Sequence, residues 1–513
     1  MTNENQNIGK VALVGAGPGD VGLLTLLGKT WIGRADVILY DHLVNLAMMR
    51  FAKSEVEKIY VGKIEGHKTM SQTAINELLV EKAQAGKIVV RLKGGDPFIF
   101  GRGGEEAQAL KQAGVPFIVV PGISSAIGVP AYAGIPLTHR DFSSSVSIIT
   151  GSNENDQQEG RIDWEKIAGR AGTLVFLMGA RKLPTIVENL TRFGKDPKTP
   201  VAVIQWGTTA RQKTWTGTLA SIVDIAMKEK ILPPALTVIG EVVSLKPAIE
   251  WYEKLPLAGK TIVVTRAEDQ SESFLNLLQD AGAEAYPFPV IQTVAPESWA
   301  PLDEALNRLK DYDGLIFTST NGVKFFLQRL KETRTDIREL QGVRIYTIGP
   351  KTEDALAELG IQVDVVPKDF VAESLIESLQ QENIQGKRFL LPRANIARSL
   401  LPEQIRAMGA EIDVVPAYQT IIPDYGMDDF IRRLQAGTIS VITFTSSSTV
   451  TNFLQRLGDE QRPFLKDVQI ACIGPITADT AKKNGLSVDI IPQEYTVDGL
   501  ASAIQNFYLA RIK

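Results

Sequence analysis

The chain of 513 residues contains very little cysteine or histidine. It has one cysteine, Cys472, and three histidines, His42, His67 and His139. One cysteine excludes an intrachain disulfide, and so few cysteines and histidines do not suggest a zinc site. Cys472 lies in the apolar run V-Q-I-A-C-I-G-P, which is typical of a buried strand rather than of a nucleophile. Because no histidine follows His139, the second half cannot carry a Ser-His-Asp triad.

The chain also lacks an excess of positive charge and any long apolar run. Its 55 Lys and Arg against 59 Asp and Glu give a net charge of −4, so nucleic-acid binding has no electrostatic support. No apolar stretch reaches the length of a transmembrane helix, and the polar start M-T-N-E-N-Q-N has no signal-peptide core. We therefore expect no membrane association and a cytoplasmic location. The length predicts more than one domain.

The second half of the chain repeats itself. K-T-I-V-V-T-R from Lys260 returns as K-R-F-L-L-P-R from Lys387, and F-T-S from Phe317 returns from Phe444, each 127 residues later. The motif I-G-P-x-T also occurs twice, 125 residues apart. Each copy alternates short apolar strands with helical stretches. This pattern predicts a duplicated, doubly wound parallel α/β pair.

The first half has glycine-rich loops after three predicted strands, at residues 15–20, 92–106 and 121–126. The first loop, G-A-G-P-G-D, fails as a dinucleotide fingerprint because Asp20 replaces the third glycine and an acid disfavours pyrophosphate. Glycine nevertheless lets a ligand approach the backbone closely. Since ligands of open α/β sheets bind at the carboxyl ends of strands, the loops together predict a ligand cleft rather than turns that serve folding alone.

An ordered series of motifs over about residues 8–248 resembles the tetrapyrrole methyltransferases, in particular uroporphyrinogen-III C-methyltransferase. The series is G-A-G-P-G-D, L-K-G-G-D-P-F-I-F-G-R-G-G-E-E, V-P-G-I-S-S-A, A-Y-A-G-I-P-L-T-H-R and P-A-L-T-V-I-G-E-V-V. The resemblance implies two α/β lobes with S-adenosylmethionine bound between them. The implied cofactor contacts are Pro18, Gly94, Gly95, Asp96, Ile99, Ser124, Ser125, Met178 and Gly207. The family often has Thr-Ala where this chain has Ser124-Ser125.

Methyl transfer to a pyrrole carbon requires that a proton later leaves the macrocycle. By the same resemblance, Asp41 is the expected base and Lys63 the expected acid. Asp41 could instead cap a helix, and Lys63 could be a solvated lysine. A substrate with eight carboxylates needs cations near the cleft. Arg102, His139 and Arg140 are the candidates, with ordinary surface charge as the alternative.

The second half resembles uroporphyrinogen-III synthase over nearly its whole length. The motifs are Y-D-G-L-I-F-T-S-T-N-G-V, I-G-P-K-T, G-A-E-I-D-V-V-P-A-Y-Q-T and I-G-P-I-T-A-D-T-A. The resemblance implies cofactor-free closure of hydroxymethylbilane with inversion of the last pyrrole. It also implies two lobes, about 257–290 plus 420–513 and about 291–419. A proline-bounded linker at 249–256 would separate this half from the methyltransferase at 1–248.

The strand ends of the second half carry hydroxyl groups and arginines, which predicts an anion-binding cleft. Tyr418 matches a tyrosine of the family that could protonate the departing hydroxyl, with an ordinary strand tyrosine as the alternative. For Ser446, Ser447 and Thr477 the alternative is helix capping. The candidate substrate contacts are Arg266, Thr318, Ser319, Arg393, Ser446, Ser447 and Thr477.

The two resemblances predict one bifunctional enzyme. The second half would make uroporphyrinogen III, and the first half would methylate it twice to precorrin-2. Small tetrapyrroles are the expected partners, S-adenosylmethionine is the expected cofactor, and we expect a homodimer formed through the methyltransferase half and no metal. Both sirohaem and cobalamin stay open as destinations. The alternatives are a methyltransferase for a later precorrin or another substrate, and a non-catalytic regulator that binds a ligand between paired lobes.

Overall fold

The computed structural model describes residues 8–53, 55–62, 70–151, 162–169, 172–369, 371–395, 399–424 and 426–512. The first lobe is built from apolar strands such as β1, which is buried over most of its length. Its strands are β1 Lys10–Gly15, β2 Val37–Tyr40, β3 Glu57–Tyr60, β4 Ile88–Lys93 and β5 Phe117–Val120. They form a parallel sheet in the order β3-β2-β4-β1-β5.

Helices cover both faces of this sheet, as a buried parallel sheet requires. The hydroxyl groups of Thr25, Ser71 and Ser124 each accept a hydrogen bond from a backbone N–H of the first helical turn, which explains where three of these helices begin. The helices are α1 Leu26–Arg34, α2 Gln72–Gln84, α3 Gly103–Gln112 and α4 Ser125–Tyr132.

The second lobe contains a mixed sheet. Its strands are β6 Val146–Thr150, β7 Thr173–Leu177, β8 Pro200–Gln205, β9 Lys213–Thr218 and β10 Ala235–Ile239. Their order is β6-β7-β10-β8-β9, and only the β6–β7 pair is parallel. Its helices are α5 Trp164–Ala168, α6 Leu183–Arg192, α7 Ile222–Lys228 and α8 Lys246–Ile249. Ala126 and Val129 of α4 pack into the core of this lobe, so α4 lies where the two lobes meet.

The second half of the chain also forms two lobes. Its strands are β11 Thr261–Val264, β12 Glu284–Pro287, β13 Gln292–Val294, β14 Gly314–Phe317, β15 Arg344–Thr347, β16 Arg388–Ala394, β17 Glu411–Ile421, β18 Val441–Phe444 and β19 Gln469–Cys472. Its helices are α9 Glu272–Asp280, α10 Ala300–Leu306, α11 Thr320–Glu332, α12 Pro350–Ala357, α13 Ala372–Gln380, α14 Leu400–Ala407, α15 Met427–Gln435, α16 Ser447–Leu457, α17 Pro475–Lys483 and α18 Val497–Ile512.

One lobe contains the sheet β12-β11-β18-β19 and the other the sheet β13-β17-β16-β14-β15. All neighbouring strands are parallel except β13, which pairs antiparallel with β17. The chain passes from one lobe to the other between β12 and β13 and returns between β17 and β18. The predicted fold class, a two-lobed methylase fold followed by a duplicated α/β pair, is confirmed.

The duplication is distributed over both lobes. The repeated segments from Lys260 and Lys387 form β11 in one lobe and β16 in the other, and the repeated F-T-S segments follow β14 and β18. Each lobe therefore contains one part of each copy. Among the described residues, no helix is both long and apolar enough to cross a membrane.

Candidate functional site

The carboxyl ends of β1, β4 and β5 meet at one edge of the first sheet, and glycine allows them to touch. Gly95 N donates to Gly17 O at 2.7 Å, and Gly17 N donates to Gly95 O at 3.1 Å. A Cβ on Gly15 would lie 2.5 Å from Gly122 N, so no side chain fits there. The three glycine-rich loops identified in the sequence therefore form one surface.

Asp96 joins two of these loops through its carboxylate. Oδ1 accepts hydrogen bonds from Phe98 N at 2.8 Å and Ile99 N at 3.2 Å, and Oδ2 accepts one from Gly122 N at 3.0 Å. The backbone thus occupies both oxygens. Asp96 holds the loop after β4 against the loop after β5, which is a positioning role that the sequence does not reveal.

The start of α4 faces this loop surface. The Ser124 hydroxyl accepts a hydrogen bond from Ala126 N at 3.3 Å and is buried. A Cβ on Gly95 would have Ser125 N at 3.6 Å as its nearest neighbour, so the loop after β4 lies directly beside this helix N-terminus. Pro18 lies beside the first turn of α4, since a Cβ on Gly128 would lie 3.0 Å from Pro18 Cγ.

The second lobe contributes its own loops to the same region. A Cβ on Gly207 would lie 2.2 Å from Val129 Cγ1, so the loop after β8 touches α4 closely. Met178 follows β7 with φ of 56° and an exposed side chain. Left-handed backbone is unfavourable for side chains other than glycine, and such strain concentrates at functional sites. Among the described residues, five of the seven non-glycine positions with positive φ lie in loops at strand ends of these two lobes: Phe100, Arg102, Met178, Trp206 and Thr208.

Asp41 follows β2 and does not cap the next helix, so the capping alternative is wrong. The cap of the 3-10 helix Leu46–Phe51 is Asn45. Asp41 Oδ1 accepts a hydrogen bond from Leu43 N at 3.1 Å, and Oδ2 lies 3.5 Å from an Arg91 nitrogen. The carboxylate is thus held in a turn beside a buried cation. Lys63, the expected acid, lies outside the described residues.

Behind Asp41 lies a buried charge network that sequence reasoning missed. Glu106 Oε1 accepts hydrogen bonds from Arg91 at 3.1 Å, Lys93 at 2.9 Å and Gln72 at 3.3 Å. Glu106 is fully buried, and its Oε2 has no hydrogen-bond partner among the described residues. Burial and the neighbouring Arg91 lower the pKa of Lys93. The available signal was the pair of cations inside the apolar strand I-V-V-R-L-K.

The three candidate substrate cations of the first half lie at or near the surface. Arg102 forms an ion pair with Glu105 at 2.8 Å. The His139 Nδ1 atom accepts a hydrogen bond from Asp141 N at 3.2 Å. Arg140 is exposed. These positions suit contact with carboxylates that enter from solvent, although Arg102 already has an acidic neighbour.

In the second half, the structure brings Tyr418 and Ser319 together. Their hydroxyl oxygens are 3.0 Å apart, and Ser319 Oγ also accepts a hydrogen bond from Gly322 N at 3.1 Å at the start of α11. Tyr418 is largely buried and stacks on Phe325 with ring centroids 5.8 Å apart. Thr318 lines a nearby cavity of about 330 Å³ with α12 residues.

Two arginines occupy equivalent places in the two copies. Arg266 follows β11, and Arg393 lies in β16, 127 residues later. Burial lowers the pKa of both guanidinium groups. The Arg266 Nε atom is buried and has no partner among the described residues. A buried guanidinium donor of this kind is suited to a ligand carboxylate.

The serine candidates of this half have intramolecular partners. Ser446 forms a capping box with Thr449 at the start of α16, as the capping alternative expected. Ser447 Oγ lies 2.8 Å from Thr480 Oγ1. Thr477 is buried in the first turn of α17. The Ser446 hydroxyl thus caps α16, and the Ser447 hydroxyl joins α16 to α17. Ligand contact there would therefore use backbone N–H groups as much as side chains.

Two family models match separate parts of the chain. The family model "Tetrapyrrole (Corrin/Porphyrin) Methylases" matches residues 10–223, and "Uroporphyrinogen-III synthase HemD" matches residues 272–502. The chain is 36% identical to "Porphyrin biosynthesis protein HemD" of Ruminiclostridium josui over 96% of this chain and 97% of that protein. It is 41% identical to "Uroporphyrinogen-III C-methyltransferase" of Bacillus subtilis (strain 168), over 74% of this chain and 77% of that protein.

A solved structure covers the first half. It is the uroporphyrin-III C-methyl transferase from Thermus thermophilus complexed with S-adenyl homocysteine, with 40% identity and a TM-score of 0.41. It covers 46% of this chain and 100% of that chain. A "S-adenosyl-L-methionine-dependent uroporphyrinogen III methyltransferase" of Methanosarcina barkeri is 53% identical over 47% of this chain and 94% of that protein.

Proposed function

Because the chain belongs to the tetrapyrrole methylases in its first half and to the uroporphyrinogen-III synthases in its second, we propose that it catalyses two consecutive steps of tetrapyrrole biosynthesis. The second half closes hydroxymethylbilane to uroporphyrinogen III with inversion of the last pyrrole. The first half methylates this product twice to give precorrin-2. The supporting observation is that one chain carries both matches, at residues 10–223 and 272–502. We propose that the chain consists of a methyltransferase at 1–248, a linker at 249–256 and a synthase at 257–513.

S-adenosylmethionine is the methyl donor in this proposal, and the residues present fit it. Gly95 has φ of 70° and carries no side chain beside Ser125 N, so the donor can approach the backbone of this loop and the first turn of α4. Exposed Ile99 and Met178 offer apolar surface beside it. When bound, the donor supplies an electrophilic methyl group. Asp96 would act mainly by shaping the loop, because its oxygens already accept three backbone hydrogen bonds.

Asp41 is the proposed base that removes the proton from the methylated ring. Its carboxylate accepts a hydrogen bond from one backbone N–H, that of Leu43, and Oδ2 lies 3.5 Å from an Arg91 nitrogen. Glu106 holds Arg91 in place from behind. A carboxylate fixed in this way can accept a proton within hydrogen-bond reach of the substrate. Arg102, His139 and Arg140 would bind substrate carboxylates, and Lys63 stays a proposed acid.

For ring closure, the enzyme must help a hydroxyl to leave and hold a flexible anionic chain. Since Ser319 Oγ accepts from Gly322 N, its own proton is free to point to the Tyr418 oxygen. The phenolic proton is then available for the departing hydroxyl. Arg266 and Arg393 would bind acetate or propionate groups from opposite lobes. Thr318, Ser446, Ser447 and Thr477 complete the proposed substrate contacts.

A coupled assay tests both steps. The full chain receives hydroxymethylbilane with and without S-adenosylmethionine, and products are identified by chromatography and mass spectrometry. We expect uroporphyrinogen III without the donor and a dimethylated product with it. Ring closure to the type I isomer alone would contradict the synthase proposal. A methylated product whose mass differs from that of precorrin-2 would indicate that the first half acts on a different substrate.

We also propose a homodimer formed through the methyltransferase half and a cytoplasmic location. Leu26 of α1 is 85% exposed and Leu27 is 52% exposed, and large exposed apolar groups side by side favour association. Light scattering of the full chain would test the dimer. Conversion of a dimer to a monomer by Leu26→Lys would support this surface, whereas a monomer in the unsubstituted chain would contradict it.

A further inference from the structure

Asp20, the last residue of the first glycine-rich loop, is held from three sides. Its Oδ1 accepts a hydrogen bond from Gly22 N at 2.7 Å. Its Oδ2 accepts one from the Tyr132 hydroxyl at 2.8 Å, and its own N–H donates to Thr208 Oγ1 at 3.3 Å. The acid that disqualified this loop as a dinucleotide fingerprint is therefore its structural anchor.

The first connection leads from Asp20 to residues 249–256, the joining segment between the two halves. Tyr132 packs against Trp251 and Tyr252, with ring centroids 5.1 Å and 4.8 Å apart. The Trp251 indole N–H donates to Ala131 O at 3.0 Å. Burial, followed by the charge of Asp20, raises the pKa of both tyrosines, so Tyr132 keeps the proton that it donates. The joining segment thus supports the donor to Asp20.

A second connection reaches Asp20 from the neighbouring residue of the same segment. Glu253 Oε1 accepts hydrogen bonds from the Thr214 hydroxyl and from Gln212 Nε2, the latter at 3.0 Å. Gln212 Oε1 in turn accepts a hydrogen bond from Thr208 N at 2.7 Å. Thr208 has φ of 62° and is buried, so its strained backbone depends on such partners. Its hydroxyl receives the Asp20 N–H.

We propose that Trp251, Tyr252 and Glu253 form a clamp that positions the loop of residues 15–20, which makes the joining segment a working part of the methyltransferase. The inference rests on the proposed methyl transfer of the first half. Tyr132 and Gln212 link the clamp to Asp20. They are positioning residues because they act through Asp20. The backbone of the segment also contacts the first half closely, since a Cβ on Gly134 would lie 2.7 Å from the Cα atom of Glu250.

The clamp acts on the loop that carries Pro18, a proposed cofactor contact. Pro18 and Gly19 lie close to α4 and to the loop after β8, because a Cβ on Gly128 would lie 3.0 Å from Pro18 Cγ and one on Gly19 would lie 2.8 Å from Thr209 Cγ2. A small shift of Asp20 therefore displaces the surface presented to the cofactor. The base Asp41 has no hydrogen bond to Asp20 or to the clamp among the described contacts. Loosening the clamp should thus weaken cofactor binding more than the chemical step.

The test uses Tyr132→Phe in the full chain, which removes one hydroxyl and keeps the ring. A hydrogen bond to a charged acceptor contributes enough to change binding by about 10-fold when it is lost. We expect the Kd for S-adenosylhomocysteine from calorimetry and the KM for S-adenosylmethionine to rise by about 10-fold, with kcat within about 2-fold. Glu253→Ala should change the same quantities in the same direction. Ring closure should be unchanged in both variants.

Tyr312→Phe is the matched control, because Tyr312 also donates to a carboxylate, that of Asp413 at 2.6 Å, but lies in the second half. It should leave cofactor affinity unchanged. Unchanged affinity in Tyr132→Phe and Glu253→Ala would overturn the clamp, as would a lower melting temperature with unaltered KM. Failure of the unsubstituted chain to bind S-adenosylhomocysteine would instead refute the methyltransferase proposal on which the clamp rests.

Discussion

Replacement of Asp96 by asparagine separates loop positioning from charge at the proposed cofactor site. The carboxylate accepts three backbone hydrogen bonds, two at Oδ1 and one at Oδ2. An asparagine side chain can present its oxygen to only one side, so its NH₂ group would face an N–H donor on the other. The isosteric change therefore breaks the connection between the loops after β4 and β5 without creating a cavity.

The expected size follows from the contacts. Hydrogen bonds to a charged acceptor contribute about 1.5–3 kcal/mol each. The two bonds of Oδ1 are exposed, where water can replace the lost partner. We therefore count only the Oδ2 bond to Gly122 N, at about 2 kcal/mol. If the bound state needs this loop arrangement, the Kd for S-adenosylhomocysteine should rise by roughly 30-fold, and Asp96→Ala should weaken binding at least as much.

Calorimetric titration of the full chain measures this affinity, and Asp36→Asn is the matched control. Asp36 Oδ2 accepts a hydrogen bond from Ile88 N at 2.9 Å, at the amino end of β4 in the same sheet. This contact lowers the pKa of Asp36, so its contribution to stability is present at neutral pH and is lost as the pH falls through the folded-state pKa. Asp36→Asn should lower stability and spare cofactor affinity. Equal losses of affinity in both variants, or none in Asp96→Asn, would refute the reasoning.

Three further variants test the other proposed roles. Asp41→Asn keeps the acceptor for Leu43 N but loses its basicity, so methyl transfer should fall by roughly 100-fold or more at a nearly unchanged melting temperature; full activity would exclude Asp41 as the base. Tyr418→Phe should slow ring closure and let the type I isomer accumulate, which chromatography detects, while methylation of supplied uroporphyrinogen III continues; an unchanged isomer ratio would remove Tyr418 from the mechanism. Glu106→Gln removes the buried carboxylate that pairs with both Arg91 and Lys93, leaving Lys93 with a neutral partner and Arg91 with Asp41 alone, and should destabilise the first half in urea unfolding by about 3 kcal/mol or more; an unchanged transition would mean that the network does not stabilise the fold.

The sequence predicted the strands and the loops that follow them, for a physical reason. Buried parallel strands are short apolar runs, and ligand loops follow their carboxyl ends. The apolar runs that end at Gly15 and Phe317 are both strands of the structure. The repeat at Lys260 and Lys387 likewise predicted two related units. Each of these features is contained in a short stretch of sequence, so it can be predicted without knowing which distant residues are in contact.

Features that depend on contacts between residues far apart in sequence could not be predicted in this way. Arg91 and Lys93 look like exposed ends of a strand until Glu106 from α3 is placed behind them. The antiparallel pairing of β13 with β17 joins segments that are far apart in sequence. The segment around Trp251 has no clear period, which indicates a linker, whereas in the structure Trp251 and Tyr252 pack on Tyr132. Its two adjacent aromatic residues were the signal that it packs against something.

The arrangement of the second half explains why its two copies occur in one chain. In one lobe β11 of the first copy pairs with β18 of the second, and in the other lobe β14 of the first copy pairs with β16 of the second. A single copy would leave the inner edges of β11 and β14 unpaired, and open strand edges invite association with other chains. With both copies, these edges are satisfied, and each lobe presents loops of both copies at its carboxyl edge. Arg266 and Arg393 then stand at equivalent positions in different lobes, and we propose that a long polycarboxylate spanning the two lobes would meet a guanidinium group on each side.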